Sequence, residues 1–234
     1  MEFAGIHPFA PGDRLRKINW RATLRARELH ITSTFTERAA QVVVVLDALH
    51  DAGAHPASVL DVSVRAAAAI SGHYLEHGDF VGLIEYGARE RVLAAGTGRR
   101  HLHRVRQWLV DVRAPQGDHE GFAEPWLEGR PVSRALVLVV SPLLDEHAFA
   151  QLAALRGRGA SVLALDTLPE ALSPETHDDI ERLALRLWVL EREMLIARLV
   201  ELGVPVVAWA GAGSLDVVLQ ELARLAAAPR LVVR

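Results

Sequence analysis

Apolar and polar positions alternate along this chain in two rhythms. Gln41 to Asp47 (QVVVVLD) is an unbroken β-branched run, the pattern of a central parallel strand buried on both faces. A Gly/Pro break at Gly53 to Pro56 follows. Ser58 and Asp61 then have the spacing of a capping box for a helix reaching about His77, with Gly78 as its stop. Phe80 to Tyr86 reads as a second strand and Arg91 to Ala95 as a third, at an edge. Arg99 to Val112 is helical, with Leu102, Val105, Leu109 and Val112 on one side. Residues 114–133 form a long polar loop rich in Pro and Gly.

The second half repeats the alternation. Ala135 to Val140 and Ser161 to Asp166 are strands, separated by a helix from Glu146 to Arg156. Ile180, Leu183, Leu187, Leu190, Met194 and Ala197 mark a long amphipathic helix ending at Gly203, with Asp178 and Asp179 complementing its dipole. Val204 to Trp209 is a last strand, and Leu215 to Leu225 a last helix capped by Ser214. Strands alternating with helices imply an α/β fold with a mostly parallel sheet, here over 39–234.

The first 38 residues stand apart. Leu29, Ile31, Ser33 and Phe35 alternate with polar neighbours, as in a half-buried strand. Ahead of them Pro11-Gly12-Asp13 is a turn: proline presets one dihedral and glycine permits a positive one. Arg14, Arg16, Lys17, Arg21, Arg25 and Arg27 then form a basic cluster. It suits an acidic partner, a phosphate or anionic lipid. The internal alternative pairs Asp13 with Arg16 and packs Trp20 against the sheet, leaving the outer arginines to partners.

Composition mainly removes possibilities. The 234 residues contain no cysteine, which excludes a disulfide framework, a thiol nucleophile and Cys-rich zinc sites. Lys17, the single lysine, is not in a P-loop. A net charge of -3 argues against a dedicated nucleic-acid binder. No apolar run approaches the roughly 20 residues of a membrane span. His73 and His77 lack the glutamate of a zincin helix, and His101 and His103 point different ways. No G-x-S-x-G elbow or complete dinucleotide fingerprint occurs.

The stretch from Phe9 to Arg25 is the most specific feature. Phe9, Pro11, Gly12, Asp13, Arg16, Ile18, Trp20 and Arg25 match, in order and spacing, the signature of the bacterial domain of unknown function 58 family, which this chain resembles. Gly78 to Gly82, Trp188 to Glu193 and Gly203 to Val207 resemble later parts of the same family. The resemblance implies a three-layer, doubly wound, von Willebrand A-like or Rossmann-like α/β domain with an extra N-terminal edge strand. It implies partners among MoxR-type AAA+ ATPases, beside which family members tend to be encoded. It also implies a longer parent protein, membrane-anchored, with this portion on the inner, cytoplasmic face of the membrane.

In metal-binding von Willebrand A domains an Asp-x-Ser-x-Ser loop follows the first strand and supplies hard oxygen ligands to Mg²⁺. Here that loop reads Asp47-Ala48-Leu49-His50-Asp51, and Ser141-Pro142 stands where related chains carry Ser-Asp. Leucine and proline offer no ligand atom. A degenerate site is expected, with Asp47, Asp51 and Ser141, helped by Asp145, as weak candidates for Mg²⁺ and no cofactor otherwise. The leading expectation is a non-enzymatic protein-interaction domain whose signature residues are Pro11, Gly12, Asp13, Arg14, Arg16, Trp20, Arg21 and Arg25. The rivals are Mg²⁺-dependent ligand binding and a small-molecule or enzymatic crevice beside Asp47 and Ser141.

Overall fold

A computed structural model describes residues 2–8, 20–26, 28–35, 41–87, 90–115, 127, 135–144, 146–169 and 176–227. The chain divides into two compact units, Met1–Ala39 and Ala40–Arg234. In the first, β1 (Glu2–Pro8) pairs antiparallel with β2 (His30–Phe35), from Pro8 opposite His30 to Glu2 opposite Phe35. The register shifts between Phe3 and Gly5, so the alternation of β1 is broken in the sequence as well. Helix α1 (Trp20–Ala26) lies between the two strands in sequence, and the N–H of His30 donates to Thr23 Oγ1 at 3.0 Å. The expected N-terminal strand is β2. β2 belongs to a two-stranded sheet of its own, because β1 supplies its backbone partners.

The second unit is a six-stranded sheet ordered β5-β4-β3-β6-β7-β8. Its strands are β3 (Gln41–Asp47), β4 (Phe80–Tyr86), β5 (Arg91–Gly96), β6 (Leu136–Ser141), β7 (Ser161–Asp166) and β8 (Val206–Ala208). Every pairing is parallel except β4 with β5. The chain winds outward from β3 in one direction and from β6 in the other, which makes the fold doubly wound.

Side chains on successive strand residues feed two separate cores. Val42, Val44 and Leu46 of β3 join Leu138 and Leu163 on one face, under α2 (Val59–Glu76), α3 (Gly98–Val110) and α6 (Leu215–Ala227). Val45, Val137 and Val139 join the opposite face, under α4 (Glu146–Gly157) and α5 (Asp179–Glu201). Each fully buried Val or Leu contributes about 1.5–3 kcal/mol. Both faces of β3 are covered, so its run has no polar alternation. The three-layer α/β expectation holds.

Local signals mostly hold as well. Ser58 and Asp61 form the expected capping box on α2, and Asp178 caps α5 through a 2.7 Å bond from the Glu181 N–H. Ser214 does not cap α6. Its hydroxyl donates to the Gly211 carbonyl and accepts from the Ala210 N–H, closing the short 3₁₀ turn Ala212–Ser214 instead.

The antiparallel edge is fastened by buried polar groups. Arg91 Nε lies 2.5 Å from Glu85 Oε2, and its guanidinium stacks 4.6 Å from the Trp108 ring centroid while donating to the Trp108 carbonyl. His101 is buried and pairs with the Val81 carbonyl at 2.8 Å, so its Nε2 must be the donor. Its ring lies against Gly96, where an added Cβ would meet Nδ1 at 2.5 Å.

Gly96→Ala is therefore expected to lower unfolding free energy by about 1–3 kcal/mol through overpacking. Gly72 lies within α2 with open space around it. Gly72→Ala should raise stability, by up to about 1 kcal/mol. Urea unfolding of the two variants checks the pair.

Candidate functional site

Open α/β sheets gather ligands outside the carboxyl ends of their strands, where the winding reverses. Here that place lies between β3 and β6, which end at Asp47 and Ser141. Asp47 is 3% exposed and its two oxygens take different partners. Oδ1 accepts the Leu49 N–H at 3.1 Å, and Oδ2 accepts the Ser141 hydroxyl at 2.7 Å. Ser141 Oγ in turn accepts the Leu143 N–H at 3.0 Å. Leu143 adopts φ 52° with its side chain buried, a left-handed conformation costly for a branched residue and held by this turn.

The next strand repeats the arrangement. Asp166 ends β7, and its Oδ1 accepts the Leu168 N–H at 3.0 Å as Asp47 accepts that of Leu49. Its Oδ2 lies 2.7 Å from Arg192 of α5. The same guanidinium donates to the carbonyls of Pro142 at 2.9 Å and Leu143 at 3.1 Å. Arg192 thus ties the loop after β6 to the end of β7. On the other face, Ser63 of α2 donates to the Val59 carbonyl. Its 2.6 Å contact with Thr167 therefore uses the threonine hydrogen. The Thr167 N–H closes the set on the Ser141 carbonyl.

Asp51 serves the loop after β3 differently from Asp47. Its Oδ1 accepts the Leu60 N–H at 3.1 Å, one of the unpaired donors at the start of α2. Asp61 receives both the N–H and the hydroxyl of Ser58 and lies 3.0 Å from His55. Burial alone would push its carboxyl up. The Ser58 hydrogen bonds and the nearby His55 outweigh that and hold it below the usual carboxylate value.

The sequence candidates separate accordingly. Asp47 and Ser141 are brought together, while Asp51 is engaged at the helix start. Asp145 lies outside the described residues, as do Pro11, Gly12, Asp13, Arg14 and Arg16. Trp20, Arg21 and Arg25 lie on α1, which buries none of its residues. Trp20 is 65% exposed.

Among the described residues, no group of three or more His, Asp or Glu is arranged to hold a metal ion. The rings of His73 and His77 lie with centroids 4.2 Å apart, tilted by 36°, and His77 Nδ1 donates to the His73 carbonyl. Burial, then His77, lowers the His73 pKa. The two cavities described, of about 560 and 420 Å³, both lie between α4 and α5 and include neither Asp47 nor Ser141.

Sequence reasoning missed Asp166, Thr167, Ser63 and Arg192. The signal for Asp166 was present, since SVLALD ends as QVVVVLD does, with an aspartate leaving a buried strand. Arg192 could be found only by reading α5 for its inward positions, where a lone cation stands among Leu185, Trp188, Leu195 and Leu199.

These features define a doubly wound α/β domain whose switch point is filled by its own side chains. The chain belongs to the family described as "Protein of unknown function DUF58", whose family model matches residues 6–172. Similar relatives include uncharacterized protein Mb1516 of Mycobacterium bovis and uncharacterized protein Rv1480 of Mycobacterium tuberculosis H37Rv. Each is 32% identical over 113 residues, which is 47% of this chain and 36% of the relative. The match thus spans about a third of those relatives' length.

Two outcomes follow from the network. Ser141→Ala removes a donor from buried Asp47 and should cost about 1–3 kcal/mol. Arg192→Leu strands the Asp166 carboxylate and two carbonyls and should cost about 3 kcal/mol, both measured by urea unfolding. The capping box adds a pH dependence. The folded-state pKa of Asp61 is depressed, so its stabilisation is present above 3.8 and lost as pH falls through the folded value. Asp61→Asn should flatten that acid limb in thermal unfolding.

Proposed function

We propose that this chain is a non-enzymatic protein-interaction domain. The observation that carries the reading is the occupied switch point: Asp47, Ser141, Asp166 and Arg192 spend their polar atoms on one another and on loop backbone. A ligand entering there would have to break those bonds before making its own. The sequence resemblance supplies the partner class, a MoxR-type AAA+ ATPase acting in assembly or maturation of other complexes. The von Willebrand A-like character, the cytoplasmic placement and a membrane-anchored parent belong to the same proposal. No described helix is long and apolar enough to cross a membrane.

A second reading has one observation in its favour. The 2.7 Å contact between the Asp47 carboxylate and the Ser141 hydroxyl places two hard oxygen donors side by side at the strand ends. On that reading Mg²⁺ would compete with the internal bonds and bind weakly.

Pull-down of a MoxR-type ATPase encoded near this gene, in ATP- and ADP-bound states, tests the first reading. Recovery is expected in at least one state, and recovery in neither would remove it. Calorimetric titration with Mg²⁺ and Mn²⁺ tests the second. No heat of binding is expected, whereas millimolar or tighter binding abolished by Asp47→Ala would establish the metal reading instead.

A further inference from the structure

Helix α5 carries two apolar stripes, and the fold uses only one. Leu185, Trp188, Leu195 and Leu199 turn inward with Arg192, and Leu199 is the one described α5 residue that is fully buried. Ile180, Leu183, Leu187, Leu190 and Met194 form the other stripe, each more than half exposed, with exposed Ala197 continuing the same spacing. The intervals between these six are three, four, three, four and three residues. That repeat is the a/d spacing of a two-helix seam, and here it lies on the side of α5 turned away from the sheet. We propose that this seam is the interface with a second copy of the same chain, formed by antiparallel pairing of α5 with its equivalent. The inference goes beyond the proposed function and does not rest on it.

The argument for self-pairing comes from size and charge. When Leu187 faces Leu190 of the second copy, Leu183 faces Met194 and the bulky Ile180 faces the small Ala197. The two end layers then combine a large residue with a small one. Parallel pairing would set Ala197 against Ala197 and leave a gap. The same antiparallel register brings Arg186 opposite Glu193 of the second copy, twice by symmetry. Neither residue has a hydrogen bond or ion pair within its own chain among the described residues. Their neighbours three and four positions away explain why. Arg186 has only Arg182, Leu183, Val189 and Leu190, and Glu193 has Val189, Leu190, Ile196 and Ala197. Glu191 and Arg198, which a parallel pair would use, instead line the 560 Å³ groove between α4 and α5.

The length is adequate. A helix of 23 residues extends about 35 Å, at 1.5 Å per residue. The seam from Ile180 to Ala197 occupies about 26 Å of it. Antiparallel helix dipoles add a favourable term.

Sedimentation velocity of the full chain tests the proposal. At micromolar concentration the wild type is expected at twice 25.6 kDa. Leu187→Glu should be monomeric with unchanged circular dichroism, because Leu187 is exposed, and its thermal transition should lose the concentration dependence expected of a dimer. Arg186→Glu and Glu193→Arg should each weaken dimerisation about tenfold by turning two attractions into repulsions. The double reversal should restore it. In a parallel pair the double reversal would worsen the repulsion against Glu191 and Arg198. Because the chain has no cysteine, disulfide cross-linking is a second readout. Leu183→Cys and Met194→Cys chains should cross-link when mixed and not separately. A monomeric wild type, a Leu187→Glu variant that still dimerises, or Leu183→Cys chains that link to themselves would each overturn the proposal.

Discussion

Two neighbouring strands buried on both faces must end where their last backbone and side-chain groups can still be satisfied. In this fold that constraint falls on β3 and β6, whose Val44 and Leu138 pair at the centre of the sheet. Asp47 and Ser141 meet it by bonding to each other and to the first N–H groups of the loops that follow. The loop after β3 can then run to the capping box of α2. The loop after β6 can take the left-handed turn at Leu143 that leads to α4. Without the Ser141 hydroxyl, the buried Asp47 carboxylate would lose a donor.

Arg192 extends the same logic to the next strand. It is the cation on the inward stripe of α5, and it spends its donors on two carbonyls and the Asp166 carboxylate. Docking of α5 is therefore directional. Apolar contacts through Leu195 and Leu199 place the helix on the sheet, and Arg192 fixes its position along its axis. The price is a second apolar stripe facing outward, which distinguishes α5 from α4, whose large apolar residues turn toward the core.

Much of this was legible in advance. QVVVVLD, ALVLVV and SVLALD announced buried parallel strands because nothing polar interrupts them. The Ser58/Asp61 spacing announced the start of α2. The two-stranded sheet of β1 and β2 was half legible: β2 alternates, whereas the irregularity at Gly5 hides β1. Ser214 had the right residue type for a cap, but a local 3₁₀ turn claimed its hydroxyl.

The sequence by itself determined the order and kind of elements. Strand runs, helix periodicity and caps are local, and each is encoded within a few residues of where it acts. Only the tertiary structure decided which apolar stripe of α5 meets the sheet. Both stripes repeat at helical spacing, and the choice depends on where Asp166 and the carbonyls after β6 lie. It alone paired Asp47 with Ser141, 94 positions away, and Ser63 with Thr167, 104 positions away. Such contacts follow from strand order, which no local pattern specifies.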